Sequence, residues 1–230
     1  MKNYGVFDIL GPVMIGPSSS HTAGAARLAK MASTISGEGI EKVEFILHGS
    51  FAKTYKGHGT DRALVGGILG MDPWDIRIRN SFSHAQDQKL EYSFIEGDLG
   101  DVHPNTIKFR IFKESGRIVE ISGSSIGGGS IRIYEVDGQP VELNGEYPTL
   151  IISYKDQPGM LSKISTVLYQ SEINIAFLKV FRNIRGEKAV MVCETDSGCG
   201  RSIRQRIRDL GDIYSVKEIR PLKEGEENVC

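Results

Sequence analysis

The stretch Gly16-Pro17-Ser18-Ser19-Ser20-His21-Thr22 stands directly before an alanine-rich run. That run predicts a helix, because its apolar residues recur every three or four positions: Ala25, Ala26, Leu28, Ala29, Met31, Ala32 and Ile35. We expect Ser20 or Thr22 to be the N-cap. Free backbone N–H groups and the helix dipole would then favour a carboxylate or phosphate beside Ser18, Ser19 and His21. The alternative is that Gly-Pro is only a turn and the serines only cap a helix.

A second histidine lies in a similar setting, in the segment Lys56-Gly57-His58-Gly59-Thr60-Asp61. The segment follows a strand predicted from Val43 to Leu47. It precedes a second helix predicted from Asp61 to about Leu69, with Thr60 or Asp61 as its cap. Glycines on both sides of His58 allow a backbone or a ligand to approach closely. One such histidine is usually a surface residue, but two in similar positions before helices favour a functional interpretation.

Farther along, the chain alternates between polar and apolar residues. Two alternating segments, Thr106 to Phe112 and Ile118 to Ser122, predict a hairpin, and a further strand is predicted from Ser130 to Val136. That last strand follows the loop Ser125-Ile126-Gly127-Gly128-Gly129. The loop by itself favours a wide turn, although the hydroxyls of Ser124 and Ser125 also allow an anion site.

The motifs from Gly16, Lys56 and Ser125 together closely resemble the beta part of the bacterial iron–sulfur-dependent L-serine dehydratases. They occur in the family's order, the resemblance covers the whole chain, and it is to the beta subunit of the two-chain form. It implies a β-elimination of water from L-serine to aminoacrylate, which decays to pyruvate and ammonia. It also implies a [4Fe–4S] cluster whose open iron acts as a Lewis acid on the leaving hydroxyl.

The residue roles that the resemblance implies centre on the two histidines. His58 is the preferred base for the α-proton and His21 the second proton-handling residue, because a histidine with a near-neutral pKa suits this task. Lys56 and Asp61 would orient the loop around His58. The positions assigned to substrate binding are Ser18, Ser19, Ser20, Thr22, Lys56, Gly59, Thr60, Asp61, Ser125, Gly127 and Gly128.

The cysteines bear on where the implied cluster would be held. Cys193, Cys199 and Cys230 are an odd number, too sparse for a disulfide framework. A complete cluster ordinarily needs four thiolates, so this chain has too few cysteines, and their spacing is wrong. We therefore expect no metal ligands in this chain and a cluster held by a separate alpha subunit. Cys230 is expected to have no role in it.

The composition is that of a globular protein, with 230 residues, 40% of them hydrophobic and 25% charged. The formal net charge of −1 gives no electrostatic reason to expect nucleic acid or an anionic membrane as a partner. No apolar run is long enough to span a bilayer, and no signal segment is recognised at the N-terminus. The expected location is cytoplasmic.

Turn residues cluster at Asp137 to Pro140 and at Asn144 to Pro148, which predicts a domain boundary. We expect an α/β serine dehydratase beta domain over residues 1–146, a second domain over 147–222 and a charged, mobile tail over 223–230. The fold class is therefore α+β. The second domain is predicted to have β-α-β-β-α-β order, the ferredoxin-like arrangement. Its predicted elements are Thr149 to Tyr154, Met160 to Gln170, Ile173 to Phe181, Lys188 to Glu194, Ser202 to Leu210 and Ile213 to Ile219.

The second domain resembles the ACT domain, a small amino-acid-sensing module, at Asp156-Gln157-Pro158-Gly159-Met160-Leu161 and at Asn174. In that family the ligand sits near the first strand–helix turn, between paired domains. The resemblance therefore implies effector binding at Asp156, Gly159, Met160, Leu161 and Asn174, with L-serine as the expected effector. An ACT domain that only dimerises is the alternative. Unpaired edge strands also predict a homodimer through this domain.

A different class of function stays open from the sequence. A fold similar to residues 1–146 serves in some 3-phosphoglycerate dehydrogenases as a regulatory substrate-binding domain next to an ACT domain. The chain would then be a non-catalytic sensor of an amino acid or hydroxy acid. The two histidine motifs favour the dehydratase interpretation, because a regulatory anion site needs cationic residues more than a base. An unrelated ACT regulator ranks last, since it leaves the first 146 residues unexplained.

Overall fold

The structure, a computed structural model, describes residues 14–182 and 184–222 of the chain. The chain divides into two compact units between Gly138 and Gln139. This division falls in the first of the two turn-rich stretches that mark a boundary in the sequence. The predicted tail, with Cys230, lies outside the described residues.

The described part of the first unit contains several helical segments. A π-helical turn over Ser19–Ala23 leads directly into helix α1, Gly24–Ser36. The other helical segments are α2, Gly49–Thr54; α3, Thr60–Ile68; a 3₁₀ turn, Ile76–Asn80; and α4, Ser81–Asp87. No helix among the described residues of the chain has the length and apolar character needed to cross a membrane.

The strands of the first unit are β1, Ile40–Leu47; β2, Glu91–Glu96; β3, Thr106–Lys113; β4, Ile118–Gly127; and β5, Ser130–Val136. They lie in one sheet in the order β2-β1-β3-β4-β5, and the next strand, β6, Gln139–Leu143, belongs to the second unit. β1 pairs parallel with β2, whereas the pairs β1–β3, β3–β4 and β4–β5 are antiparallel. The predicted hairpin is confirmed as β3–β4, and the strand predicted from Ser130 to Val136 is confirmed as β5.

Small residues let α1 and α3 pack closely, which explains why α1 is rich in alanine. A Cβ atom on Gly67 of α3 would lie 2.3 Å from the Ala26 carbonyl oxygen and 2.7 Å from the Ala29 Cβ, so only glycine fits there. All seven residues of the apolar stripe predicted for α1 are buried, which confirms that helix. The two helices are thus held against each other, and His21 and His58 lie just before their first residues.

The predicted helix caps were wrong. Ser18, rather than Ser20 or Thr22, caps the first helical segment: its hydroxyl accepts the His21 N–H, and its backbone is extended. The residue before α3 is Gly59, in the left-handed conformation with φ of 68°, rather than Thr60 or Asp61. Helix α2 also lies in a segment that the sequence left as a loop. It follows His48 and carries the partly buried Ser50, whose hydroxyl contacts His21.

The second unit contains a four-stranded sheet with two helices. Its elements are β7, Thr149–Lys155; α5, Met160–Tyr169; β8, Ile175–Arg182; β9, Lys188–Thr195; α6, Gly200–Arg208; and β10, Ile213–Ile219. The strand order is β10-β7-β9-β8, and every neighbouring pair is antiparallel. This confirms the β-α-β-β-α-β prediction and the α+β fold class. Buried side chains from both helices and the sheet form its core, including Leu150, Ile152, Met160, Ile164, Met191 and Ile207.

Candidate active site

Hydroxyl groups hold the His21 imidazole on both of its edges. His21 Nδ1 lies 3.1 Å from Ser20 Oγ and 3.4 Å from Ser18 Oγ. On the opposite edge, Nε2 lies 3.0 Å from Ser50 Oγ, at the start of α2. The edge of the ring also packs against Phe51, with centroids 5.3 Å apart. The His21 ring therefore has a defined orientation.

The surroundings of His21 favour its neutral form. Burial is the main cause that lowers the pKa of His21 below its usual value of 6.5, and the nearby His58 lowers it further. The contacts to Ser18, Ser20 and Ser50 are with neutral hydroxyls, so they add no negative charge that would raise the pKa. Near neutral pH the ring can accept a proton on one nitrogen and donate from the other.

His58 lies beside His21, although the two are distant in the sequence. Thr22, the residue after His21, precedes His58 by 36 positions. The two imidazole centroids are 5.0 Å apart, with the ring planes tilted by 40°. The backbone of His58 is held, because its carbonyl accepts the Thr22 hydroxyl at 3.0 Å and its N–H donates to the Thr54 carbonyl at 3.2 Å. Its side chain is exposed, and neither ring nitrogen has a hydrogen-bond partner among the described residues. The structure thus brings the two histidine segments together.

The residues around His58 have different environments. Lys56 is exposed, with its Nζ 5.5 Å from the centre of the Tyr55 ring. Thr60 is fully buried, and its Oγ1 makes no hydrogen bond within the described part of the chain. Burial is the main cause that raises the pKa of Asp61, whereas the N–H of Arg62, which donates to Asp61 Oδ1 at 2.8 Å, opposes that shift. Lys56 and Asp61 thus lie on either side of the turn that carries His58.

The third motif contacts the start of α1 through Ser125. A Cβ atom on Gly24, the first residue of α1, would lie 2.0 Å from Ser125 Oγ, so the serine side chain occupies the space that a glycine leaves. Ser125 is fully buried, and its hydroxyl has no partner among the residues that the structure describes. Gly127 and Gly128 follow at the turn between β4 and β5, with φ values of 103° and 59°. A left-handed backbone explains both glycines.

Ser19 contributes to the site through its backbone, because its carbonyl accepts the Gly24 N–H at the junction between the π-helical turn and α1.

Ser50 is the site residue that the sequence interpretation missed. Its only sequence signal is a hydroxyl two residues after His48, within a segment interpreted as a loop. The arrangement can hold one neutral histidine in place and present a second, accessible one, which suits the transfer of a proton to or from a ligand.

Comparisons with known proteins find similar sequences for both parts of the chain. The family model described as serine dehydratase beta chain matches residues 5–98, which include both histidines, and the ACT domain model matches residues 148–212. The L-serine dehydratase beta chain of Peptoniphilus asaccharolyticus is 44% identical over 95% of this chain and 99% of its own length. The probable L-serine dehydratase beta chain of Bacillus subtilis (strain 168) is 41% identical over 95% of this chain and 99% of its own.

This chain belongs to the L-serine dehydratase beta chain family. The D-3-phosphoglycerate dehydrogenase of Bacillus subtilis (strain 168) is also related, at 22% identity over 85% of this chain, but the match spans only 37% of that protein. The two dehydratase beta chains are similar along nearly their whole length. A regulatory chain resembling 3-phosphoglycerate dehydrogenase is therefore not favoured.

In the ACT domain of this chain, the five predicted effector residues do not all lie close together within one copy. Asp156 follows the end of β7, where its carboxylate accepts the Gly186 N–H at 2.9 Å. Asn174 precedes β8 and donates to Asp196 at 2.7 Å. The β7–β9–β8 register places these residues at opposite ends of the sheet, roughly 20 Å apart for a seven-residue strand.

The other three predicted effector positions lie at the turn next to Asp156. Gly159 is in the left-handed conformation with φ of 88°, Met160 is buried in the core, and Leu161 is half exposed. Asn174 instead lines a separate pocket of about 380 Å³ with Ser165, Thr166, Tyr169, Ile173 and Ile175. Only a second copy of the domain could bring the Gly159 turn and Asn174 together.

The cysteines of the described residues do not fit an iron–sulfur cluster. Cys193 and Cys199 are buried in the ACT domain, and burial raises the pKa of Cys193 to about 12. The described residues include only these two cysteines, whereas a complete cluster ordinarily needs four thiolates. Within residues 14–182 and 184–222, no group of three or more His, Cys, Asp or Glu side chains is arranged to hold a metal ion.

Proposed function

We propose that this chain is the beta subunit of a two-chain L-serine dehydratase that converts L-serine to pyruvate and ammonia, active only with its alpha subunit. One observation carries the proposal: His21 and His58 lie 5.0 Å apart within the segment that matches the family model. The pair has the composition of an acid–base site, with one fixed imidazole and one accessible imidazole. The name beta chain, shared by two close relatives, supports an alpha partner.

In the proposed reaction, His58 takes the α-proton of L-serine. The electron pair of the broken C–H bond forms the Cα–Cβ double bond while the Cβ–O bond breaks, and the hydroxyl leaves to form water once it is protonated. The resulting aminoacrylate tautomerises to an imine, which water hydrolyses to pyruvate and ammonia. His58 suits the first step because its ring is accessible and close to a second imidazole.

His21 and the hydroxyls at the start of α1 would orient the substrate and the transferred proton. Positive charge near a helix N-terminus favours a carboxylate, so we place the substrate carboxylate beside Ser18, Ser19 and Ser20. The [4Fe–4S] cluster would be held by the alpha subunit, where its iron supplies the Lewis acid. The described residues contain two buried cysteines, fewer than the four thiolates that a cluster ordinarily needs, which supports this assignment to the partner chain. Two free cysteines also support a cytoplasmic, reducing location.

Reconstitution under anaerobic conditions tests this proposal. This chain and the alpha chain encoded with it are purified separately and mixed, and iron content and pyruvate formation are measured for each chain and for the mixture. We expect iron with the alpha chain only and turnover of L-serine in the mixture only. Iron-dependent turnover by this chain alone, or an inactive but fully loaded mixture, would contradict the proposal.

We also propose that the ACT domain forms a homodimer through β8. This edge strand exposes Phe177 and Val180, which are 45% and 40% accessible and are unusual on a free edge. Phe177→Asp with Val180→Asp should convert a dimer of the full chain to a monomer, as measured by light scattering. Tyr214→Asp, on the opposite edge strand β10, is the matched control and should remain dimeric. A dimer that survives the β8 changes would exclude this edge.

Such a dimer would allow L-serine to bind as an effector between the Gly159 turn of one copy and Asn174 of the other. The support is geometric, because these positions lie at opposite ends of one sheet. Calorimetry with L-serine should therefore detect binding by the dimeric chain. Binding that persists in the monomeric β8 variant would contradict a site shared between copies.

A further inference from the structure

The Ser50 side chain contacts His21, whereas the bonds of Ser50 within and around its own helix are made by its backbone. The Ser50 N–H donates to the Pro104 carbonyl at 2.8 Å, and the Ser50 carbonyl accepts the Thr54 hydroxyl at 2.7 Å. The preceding Gly49 is locked against the same proline, because a Cβ atom there would lie 2.7 Å from the Pro104 oxygen. The start of α2 is therefore fixed without the Ser50 hydroxyl, which is left to contact His21 Nε2 at 3.0 Å.

Ser50 also completes an unusual set of partners around an imidazole. Histidines that transfer protons are commonly oriented by a carboxylate, which stabilises their charged form. Here the partners of the His21 ring are three hydroxyls: Ser18 and Ser20 on the Nδ1 edge and Ser50 on the Nε2 edge. Because a hydroxyl can donate or accept, each edge can serve a protonated or an unprotonated nitrogen. The orientation is thus kept when the ring changes tautomer.

We propose that Ser50 is a positioning residue that holds His21 through Nε2 and keeps its ring beside His58. The catalytic meaning of this role rests on the proposed function, whereas the Ser50–His21 contact does not. Without the Ser50 hydroxyl, only the Nδ1 edge would keep its partners, so the balance between the two tautomers would change and the ring would rotate more freely. The exposed His58 would then lose a fixed neighbour.

The contact is tested first in the full chain by NMR of ¹⁵N-labelled histidine, which reports the tautomer and the pKa of each imidazole. The His21 signals are assigned by their loss in His21→Gln. We expect Ser50→Ala to change the His21 tautomer ratio by about threefold to tenfold, the effect of losing one hydrogen bond. Ser50→Thr keeps the hydroxyl and should restore the ratio. Ser33→Ala removes a part-buried hydroxyl that bonds to the Ile68 carbonyl and is the matched control, with no expected change.

The positioning role is tested in the reconstituted enzyme with the same variants. We expect Ser50→Ala to lower kcat about threefold to tenfold with little change in KM, to shift the pH profile, and to be rescued by Ser50→Thr. An unchanged tautomer ratio would overturn the contact. A raised KM with unchanged kcat would overturn the role, because it would make Ser50 a substrate-binding residue. If the wild-type mixture has no activity but the tautomer shift occurs, the proposed function fails and the Ser50 contact stands.

Discussion

The two histidine segments both place a histidine just before a helix, but they hold their histidines in different ways. At His21 the structure fixes the side chain, since both ring nitrogens contact hydroxyls and the ring is partly buried. At His58 it fixes the backbone, through Thr22 and Thr54, and leaves the ring exposed. A fixed ring suits the maintenance of geometry, whereas an accessible ring suits contact with substrate. The difference therefore predicts which of the two histidines acts directly on the substrate.

The largest effect is expected from His58→Ala, which removes the accessible imidazole. Turnover in the reconstituted enzyme should fall by about 10²- to 10⁴-fold, the usual contribution of an acid–base side chain. Because the ring is exposed and has no hydrogen-bond partner among the described residues, the fold should be unaffected. Steady-state kinetics with circular dichroism of the variant measures both. Near-normal turnover would remove His58 as the base.

His21→Ala should have the second-largest effect. It removes a ring that packs on Phe51 and bonds to Ser20 and Ser50, so some stability should be lost as well. We expect a fall in kcat at the lower end of the acid–base range, on the order of 10²-fold. Urea unfolding beside the kinetics separates the two losses. If His21→Ala reduces kcat more than His58→Ala does, the assigned roles of the two histidines are reversed.

A smaller effect is expected from Thr22→Val, which removes the hydroxyl that holds the His58 carbonyl. Thr22 is buried, and valine has nearly the same shape, so the change isolates one hydrogen bond. We expect kcat/KM to fall about threefold to tenfold, with the fold retained. Thr34→Val, in the helix α1 that follows, is the control, since its hydroxyl bonds to the Lys30 carbonyl at the surface. Equal effects of both changes would show that Thr22 has no special role.

The smallest effect is a pH dependence of stability that arises from His21. Its folded-state pKa lies below the unfolded value of 6.5, so below pH 6.5 the unfolded chain binds a proton that the folded chain does not. Stability from this group is therefore complete above pH 6.5 and decreases as the pH falls towards the lowered pKa. Urea unfolding at about pH 7.5 and 5.5 should show a larger loss for wild type than for His21→Gln. Equal losses would indicate that His21 titrates normally.

The sequence singled out the two histidines that the structure brings together, but it did not predict the local geometry around them. The motifs around Ser18 and His58 identified both imidazoles, because pairs of histidines among hydroxyls and glycines are chemically conspicuous. The caps were wrong because serines in a row compete for the same backbone donors, and only the local conformation selects Ser18. Ser50 was missed because its six-residue helix is too short for an apolar period to reveal.

The second unit was easier to predict than the parallel part of the first sheet. Its strands and helices alternate with clear periods and short turns, so the order β7-α5-β8-β9-α6-β10 follows from sequence. By contrast, the sequence analysis did not predict the strand β2. It pairs parallel with β1 across a connection of more than forty residues, and such pairing leaves no local signal.

The sequence by itself determined the secondary structure of the second unit, the buried stripe of α1 and the family, because these depend on local periods and on motifs read in order. Only the tertiary structure decided that His21 and His58 are neighbours and that Ser50 faces His21. It also separated the turn at Gly159 from Asn174 by the length of a sheet. These relations depend on close packing of α1 against α3 and on strand register. Both arise from contacts between residues far apart in the chain, which no local pattern encodes.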